Sequence, residues 1–147
     1  MSAQHMLLAF DFSDSSRRAM MTARQLAATL KSAIDVVYVL DDPFSEIANT
    51  PKESIWATER ELEEHVAAIR AQLAGEVEEI FGPEAQAITL HVRRGTPLHA
   101  ILDQRSAIGA DLVVSGTTGK GGVARTLMGS VSQKLLQRCP VPVLIVP

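Results

Sequence analysis

Short apolar runs alternate with helical patterns five times along this chain, and that alternation limits the folds available to it. The runs are four to seven residues long, the length of buried strands, and they occupy residues 5–10, 34–40, 87–92, 111–116 and 143–146. Because these runs are mostly apolar throughout, helices should cover both faces of the sheet that they form. The pattern therefore predicts a doubly wound, Rossmann-like α/β fold with a parallel five-stranded sheet in the order 3-2-1-4-5.

Polar residues mark where the predicted helices begin. Asp11, Ser13 and Asp14 are available to cap the first helix. The second helix has an apolar stripe within residues 62–80 and an acidic opposite face, which we interpret as solvated surface. The last helix begins near Ser130, directly after a glycine-rich loop.

Length and charge exclude several classes of protein. The 147 residues fit one domain spanning residues 1–147, and a net charge of −3 argues against a broad basic surface for nucleic acid. The single cysteine, Cys139, cannot form an internal disulfide, which fits a reducing compartment, and we interpret it as a small buried filler. The first apolar run lacks a basic leader and stops at Asp11, too soon for a signal peptide or a membrane span. We therefore expect a cytoplasmic protein.

The carboxyl ends of the first and fourth strands mark the predicted site. In a sheet of this order, ligands bind in the crevice between these two ends. The first strand ends at Asp11, and the fourth runs into a loop, residues 116–130, that holds five of the nine glycines. A glycine-rich turn before a helix presents unhindered backbone N–H groups, and the helix dipole adds positive charge. The loop therefore predicts a phosphate site, with a tight connection of no other function as the alternative.

Two familiar phosphate motifs do not fit this loop. The P-loop pattern fails because Gly121 and Gly122 stand where its last glycine and its lysine belong. The dinucleotide pattern is met by Gly119, Gly121 and Ala124, but it follows the fourth strand instead of the first. Leu144 lies where that pattern needs an acidic residue for the ribose, so we exclude a nicotinamide enzyme.

A longer glycine spacing points to a specific family. Gly116, Gly119, and Gly129 followed by Ser130 have the spacing G-x2-G-x9-G-[ST], which resembles the signature of the ATP-binding branch of the universal stress protein family. Residues 6–23 resemble the first strand, aspartate and serine-rich helix start of that family, VVYVLDDP resembles its second strand, and residues 109–147 resemble its C-terminal block. Residues 41–54 carry little resemblance. The resemblance implies a fold of the adenine nucleotide alpha-hydrolase-like type.

The resemblance also implies an adenine-nucleotide site, with ATP as its occupant and Mg²⁺ as a candidate companion ion. The matching residues are Ala9 and Asp11 at the adenosine end, Val39 at the adenine edge, Gly116, Gly119 and Lys120 over the ribose and phosphates, and Gly129, Ser130, Val131 and Ser132 around the phosphates. Asp11 has two further interpretations, a helix cap and a metal ligand. Thr118 replaces a frequent histidine, and Lys120 a frequent arginine, which bears on affinity because the backbone donors remain.

The residues point to binding more than to catalysis. Phosphoryl transfer needs a group that orients the nucleophile, and the chain shows donors for phosphate but no evident general base near the loop. We therefore expect a nucleotide-binding regulatory protein, to which the resemblance adds stress-response and signalling roles. A slow ATPase or a nucleotide-transferring enzyme of the same fold is the alternative, and an interaction module with an empty pocket is a third interpretation.

The last strand predicts a partner. Residues 143–146 should lie at the edge of the sheet, and an uncovered edge pairs readily with a second copy of the same chain. The resemblance likewise implies a homodimer through this strand. The histidines at positions 5, 65, 91 and 99 show no metal-ligand spacing, and we assign them no site.

Overall fold

Five strands and four α-helices alternate along the residues that the computed structural model describes, which are 3–41, 59–117 and 128–147. The strands are β1 (His5–Ala9), β2 (Ala33–Asp41), β3 (Thr89–Gly95), β4 (Leu112–Gly116) and β5 (Val143–Val146). The helices are α1 (Asp14–Leu30), α2 (Glu59–Phe81), α3 (Pro97–Ile108) and α4 (Ser130–Arg138). All neighbouring strands pair in parallel, in the order β3-β2-β1-β4-β5, so the predicted strand order is confirmed.

Helices cover both faces of the sheet, which explains why the central strands β1 and β4 are mostly apolar. Successive residues of a strand point to opposite faces, and both faces of these two strands are buried. Under α1 and α2 the core contains Met6, Leu8, Val36, Leu73 and Val77. Under α3 and α4 it contains Leu7, Val37, Leu98, Ile101 and Leu135.

The third strand begins later than predicted. It starts at Thr89 instead of Ala87, because a 3-10 helix, Gly82–Ala87, follows α2 directly. Gly82 has a φ of 59°, a left-handed conformation that favours glycine, and it turns the chain out of α2. A proline in the first turn of the 3-10 helix suits this short element, since that position needs no N–H donor.

A polar cap fixes the start of α1. The N-cap residue is Ser13, whose hydroxyl oxygen accepts a hydrogen bond from the Ser16 amide at 3.1 Å. One carboxylate oxygen of Asp11 accepts from the Ser13 amide at 3.0 Å. The predicted capping by Ser13 is therefore confirmed, and Asp11 holds the turn that leads into the helix.

A cluster that the sequence analysis missed joins three neighbouring strands. Asp35 on β2 is only 7% exposed. Its two carboxylate oxygens lie 2.7 Å from His5 Nε2 on β1 and 2.6 Å from His91 Nε2 on β3. Both histidines are thus partners of a buried carboxylate, which needs such partners away from water.

Candidate functional site

The carboxyl end of β4 and the first turn of α1 lie in very close contact. A Cβ atom built on Gly116, the last residue of β4, would lie 2.7 Å from the Ser15 carbonyl carbon and 2.8 Å from the Ser16 amide nitrogen. Neither backbone atom can move without moving α1. Glycine is therefore needed at Gly116 because of this close approach between the end of β4 and the start of α1.

The beginning of α4 has no side-chain cap. Its N-cap residue is Gly129, with φ −66° and ψ 161°, and among the described residues no capping side chain accepts a hydrogen bond from the first turn. The amides of Ser130, Val131 and Ser132 belong to that turn, where N–H groups have no partner within the helix. With the positive end of the helix dipole, these amides can bind an anion. This end differs from the start of α1, which Ser13 caps.

Hydrogen bonds hold the start of α4 against the end of β4. The Ser132 hydroxyl donates to the Gly116 carbonyl oxygen at 2.7 Å, with the Thr117 carbonyl oxygen at 3.3 Å. The Gly129 amide donates to the Thr117 carbonyl oxygen at 2.6 Å. Because the hydroxyl proton of buried Ser132 is engaged inside the protein, the backbone amide is the remaining donor of this residue.

The residues predicted for the adenosine end lie at the ends of β1 and β2. Ala9 is the last residue of β1, and it is aligned with Val37 of the neighbouring strand. The side chains of Ala9 and Val39 are both half-buried and pack against the core under α3 and α4. Asp11 follows two residues after β1. The structure thus brings Ala9, Asp11 and Val39 to one region of the same sheet edge.

Part of the predicted phosphate site lies outside the described residues. Gly119 and Lys120, together with Thr118, belong to the segment 118–127. The described part of the site therefore consists of Gly116, the first turn of α4, and the residues at the ends of β1 and β2.

Asp11 is the candidate metal ligand of the sequence analysis. Within residues 3–41, 59–117 and 128–147, no three side chains of the types His, Cys, Asp and Glu are grouped so as to hold a metal ion. Mg²⁺ usually uses one or two carboxylates and completes its coordination with substrate phosphates and water. Any Mg²⁺ here would thus depend on the oxygens of a bound nucleotide.

Three aromatic rings lie beside the turn that carries Asp11. The ring centroids of Phe10 and Phe12 are 5.0 Å apart, and those of Phe12 and Tyr38 are 5.4 Å apart. Phe12 has a φ of 64°, a left-handed backbone that is unfavourable for a bulky residue by about 1–2 kcal/mol. Packing of its ring between the other two offsets that strain. The sequence analysis missed this group, since nothing in the local pattern indicates a positive φ at a phenylalanine.

The environment of Tyr38 favours the protonated form of its hydroxyl. Burial of the side chain and, to a smaller extent, the negative charge of Asp11 raise the pKa of Tyr38 above its ordinary value of 10.0. Tyr38 is therefore a neutral group beside the candidate site.

No helix within the described residues is long and apolar enough to cross a membrane.

Known proteins resemble this chain over nearly its whole length. The sequence profile of the Universal stress protein family matches residues 2–147. A Thermus aquaticus protein, described as a universal stress protein in the QAH/OAS sulfhydrylase 3′ region, is 35% identical over 149 residues, covering 95% of this chain and 96% of the relative.

Solved structures of similar proteins share the fold. Universal stress protein UspA from Lactobacillus plantarum matches with a TM-score of 0.78 at 22% identity, covering 100% of this chain and 99% of that one. A universal stress protein solved in complex with cAMP matches with a TM-score of 0.70 at 25% identity, covering 100% of this chain and 98% of that one.

Proposed function

The chain belongs to the universal stress protein family, and we propose that it is a regulatory protein of the stress response that binds ATP at the carboxyl edge of its sheet. The observation that carries this proposal is the uncapped first turn of α4, held beside Gly116 by the Ser132 hydroxyl. The backbone N–H groups of this first turn have no partner within the helix, and they lie near a glycine that has no side chain. A phosphate group satisfies such donors better than any side chain of the described site does.

In this proposal the nucleotide lies across the carboxyl ends of the neighbouring strands β2, β1 and β4. Ala9, Asp11 and Val39 hold the adenosine, and the remaining residues of the glycine signature hold the phosphates. These are Gly116, Gly119, Lys120, Gly129, Ser130, Val131 and Ser132. The neighbour solved in complex with cAMP supports an adenine nucleotide as the occupant. The glycine spacing resembles that of the ATP-binding branch of the family, and this resemblance favours ATP, with Mg²⁺ as a candidate companion ion.

Binding without turnover is the activity that we propose. Asp11, a carboxylate just after β1, accepts a hydrogen bond from the Ser13 amide and holds the turn into α1. A general base must instead reach the water that attacks the phosphate. We therefore assign Asp11 a positioning role toward the nucleotide, and the protein a role as a cytoplasmic nucleotide sensor.

We also propose that two copies pair through β5. This strand ends the sheet on the side away from β3, and all four of its residues are half-buried in the single chain. Pairing of two such edges in a homodimer would cover their free backbone groups.

The first experiment identifies the occupant. Freshly purified protein is denatured, and the released nucleotide is identified by mass spectrometry, with ATP as the expected species. Calorimetry of the stripped protein then measures ATP binding directly. Absence of both a released nucleotide and saturable ATP binding would overturn the proposal.

The second experiment removes one backbone donor from α4. Proline is favoured at the first helical position, and Gly129 already has the extended backbone that suits the residue before a proline. Ser130→Pro should keep α4 and weaken ATP binding about thirtyfold, the effect of losing one hydrogen bond to a charged group. The matched control Ser130→Ala loses the hydroxyl, keeps the amide, and should retain most of the affinity.

Hydrolysis of ATP by the protein would contradict the proposal of binding without turnover. Steady release of phosphate above background, lost in Ser130→Pro and kept in Ser130→Ala, would make the protein an ATPase instead of a binding protein.

A further inference from the structure

We propose that the cavity between α1 and α2 is a second ligand site, and that it takes a small organic ammonium ion. The cavity has a volume of about 610 Å³, within the range of small-molecule sites. Phe12 and Tyr38 form one wall, and α2 forms the other. None of the residues that line it belongs to the proposed nucleotide site, so the two sites are separate.

The charges along the cavity leave one carboxylate uncompensated. The Arg17 guanidinium is paired with the Glu76 carboxylate. Its Nη2 donates to Oε1 at 2.8 Å, and its Nε lies 3.2 Å from Oε1 and 3.1 Å from Oε2. Arg17 therefore neutralises Glu76 and keeps few donors for an anionic ligand. Glu79 lies one turn farther along α2 and forms no ion pair with the rest of the described chain. The cavity thus favours a cation over an anion.

Aromatic faces add to this preference. The rings of Phe12 and Tyr38 are tilted by 59° with centroids 5.4 Å apart, and both line the cavity. An aromatic face attracts a cation, above all one that is poorly hydrated, such as an organic ammonium. The Tyr38 hydroxyl makes no hydrogen bond to another described residue, so it remains available to accept from a ligand N–H group.

A glycine in the middle of α2 has no structural reason in the described chain. Gly75 lies inside the helix with an ordinary φ, and nothing lies within 4 Å of a Cβ atom built on it. Neither its backbone nor its packing requires glycine, although glycine weakens a helix interior by about 0.5–1 kcal/mol relative to alanine. Gly75 lines the cavity, where the missing side chain leaves room for a ligand. The open space at Gly75 is a second observation that favours a ligand in this cavity.

Three probes of nearly equal size test the preferred charge. They are phenethylammonium, the neutral 2-phenylethanol and the anionic 3-phenylpropionate, each titrated into the whole protein and followed by NMR. We expect the ammonium to bind saturably and to shift the ring resonances of Phe12 and Tyr38. The alcohol should bind about fivefold more weakly, because it lacks the charge that the carboxylate and the ring faces attract. The carboxylate should not saturate.

Two variants test the assigned residues. Glu79→Gln should weaken binding of the ammonium about fivefold and leave binding of the alcohol unchanged. The matched control is Glu78→Gln, which alters an exposed carboxylate of α2 outside the cavity lining and should leave both affinities unchanged. Gly75→Leu should abolish binding of both probes by filling the space. Its melting temperature should not fall, because leucine favours the helix more than glycine does and its Cβ atom meets no neighbour within 4 Å.

Each contrary result overturns the proposal. These results are the absence of saturable ammonium binding, binding of the carboxylate as strong as that of the ammonium, and shifts centred on Gly116 and Ser132 instead of Phe12 and Tyr38. Unchanged ammonium binding in a folded Gly75→Leu variant does so as well. None of them bears on ATP binding, which calorimetry with the Ser130 variants decides separately.

Discussion

The Ser132 hydroxyl donates to the carbonyl oxygen of Gly116 across 2.7 Å, and this bond joins the start of α4 to the end of β4. Both residues are buried, so no water replaces the bond without a rearrangement. A serine in the first turn of a helix usually suggests a cap or a ligand contact. Here its hydroxyl instead positions the helix whose amides we assign to the phosphates.

Ser132→Ala should therefore lower both stability and ATP affinity. It leaves the Gly116 carbonyl without this donor, which should reduce the free energy of unfolding by about 1–2 kcal/mol. Urea denaturation measures the loss, with Ser130→Ala as the control at an exposed position of the same turn. Equal stability of the two variants would contradict the positioning role of Ser132.

Alanine should have opposite effects at two glycines. Gly116→Ala places a methyl group against the backbone of Ser15 and Ser16 and should destabilise the protein by about 1–3 kcal/mol. Gly75→Ala meets no neighbour in a helix interior and should stabilise it by about 0.5–1 kcal/mol. Thermal melts of both variants test the pair. Stabilisation by both substitutions would mean that the contact between β4 and α1 is looser than described, and destabilisation by both would mean that the position of Gly75 is not open.

The positive φ of Phe12 should reverse the usual order of glycine and alanine. Both Phe12→Gly and Phe12→Ala lose the ring contacts with Phe10 and Tyr38. Only the glycine variant also loses the strain of the left-handed backbone, so it should be more stable than the alanine variant by about 1 kcal/mol. Chemical denaturation of the two proteins compares them directly. An alanine variant at least as stable as the glycine variant would show that the turn relaxes to a negative φ.

Asp111 should contribute to stability above acidic pH only. Its carboxylate accepts hydrogen bonds from the Gln4 amide at 2.9 Å and the His5 amide at 3.1 Å, and these bonds lower the pKa of Asp111 below its ordinary value of 3.8. A pKa that is lower in the folded state adds stability above pH 3.8, and that stability is lost as the pH falls through the folded-state pKa.

Comparison with Asp111→Asn isolates this effect. The free energy of unfolding of the variant, measured from neutral pH down to the acid limb, should change less with pH than that of the original protein. Identical pH profiles would show that the two backbone bonds do not distinguish the folded from the unfolded state.

A proline in β5 should separate the proposed dimer without unfolding the chain. The carbonyl oxygens of Pro142 and Val146 accept from the amides of Val113 in β4 and of Thr117 just after it, so alternate residues such as Ile145 direct their backbone groups to the open edge. Ile145→Pro removes an outward N–H group, and proline is tolerated in an edge strand. Sedimentation should show a dimer for the original protein and a folded monomer for the variant. A variant that remains dimeric would place the interface elsewhere.

The sequence predicts the fold well because the main signals are local. Leu7 and Leu8 point to opposite faces of β1, yet both are fully buried, so a run that is apolar at every position indicates a strand covered by helices on both sides. The start of β3 could not be predicted equally well, because the turn at Gly82 and the 3-10 helix compete with a strand over the same residues.

Contacts between distant residues explain what the sequence did not reveal. His5, Asp35 and His91 meet only because the register pairs His5 with Ala33 and Val37 with His91, and no spacing along the chain encodes that. In the candidate site, glycine spacing points to Gly116 and Gly129. The glycine spacing does not reveal that the Ser132 hydroxyl bonds the Gly116 carbonyl oxygen, because that bond depends on how α4 packs against β4.

The buried Asp35 penalises incorrect strand register while the chain folds. If β2 slipped by one position between its neighbours, this carboxylate would enter the hydrocarbon layer around Met6 and Leu8 with neither imidazole in reach. An ion stranded in that way is penalised by several kcal/mol. Sheets with a shifted register should therefore be unstable, and a single side chain favours the native register of three strands.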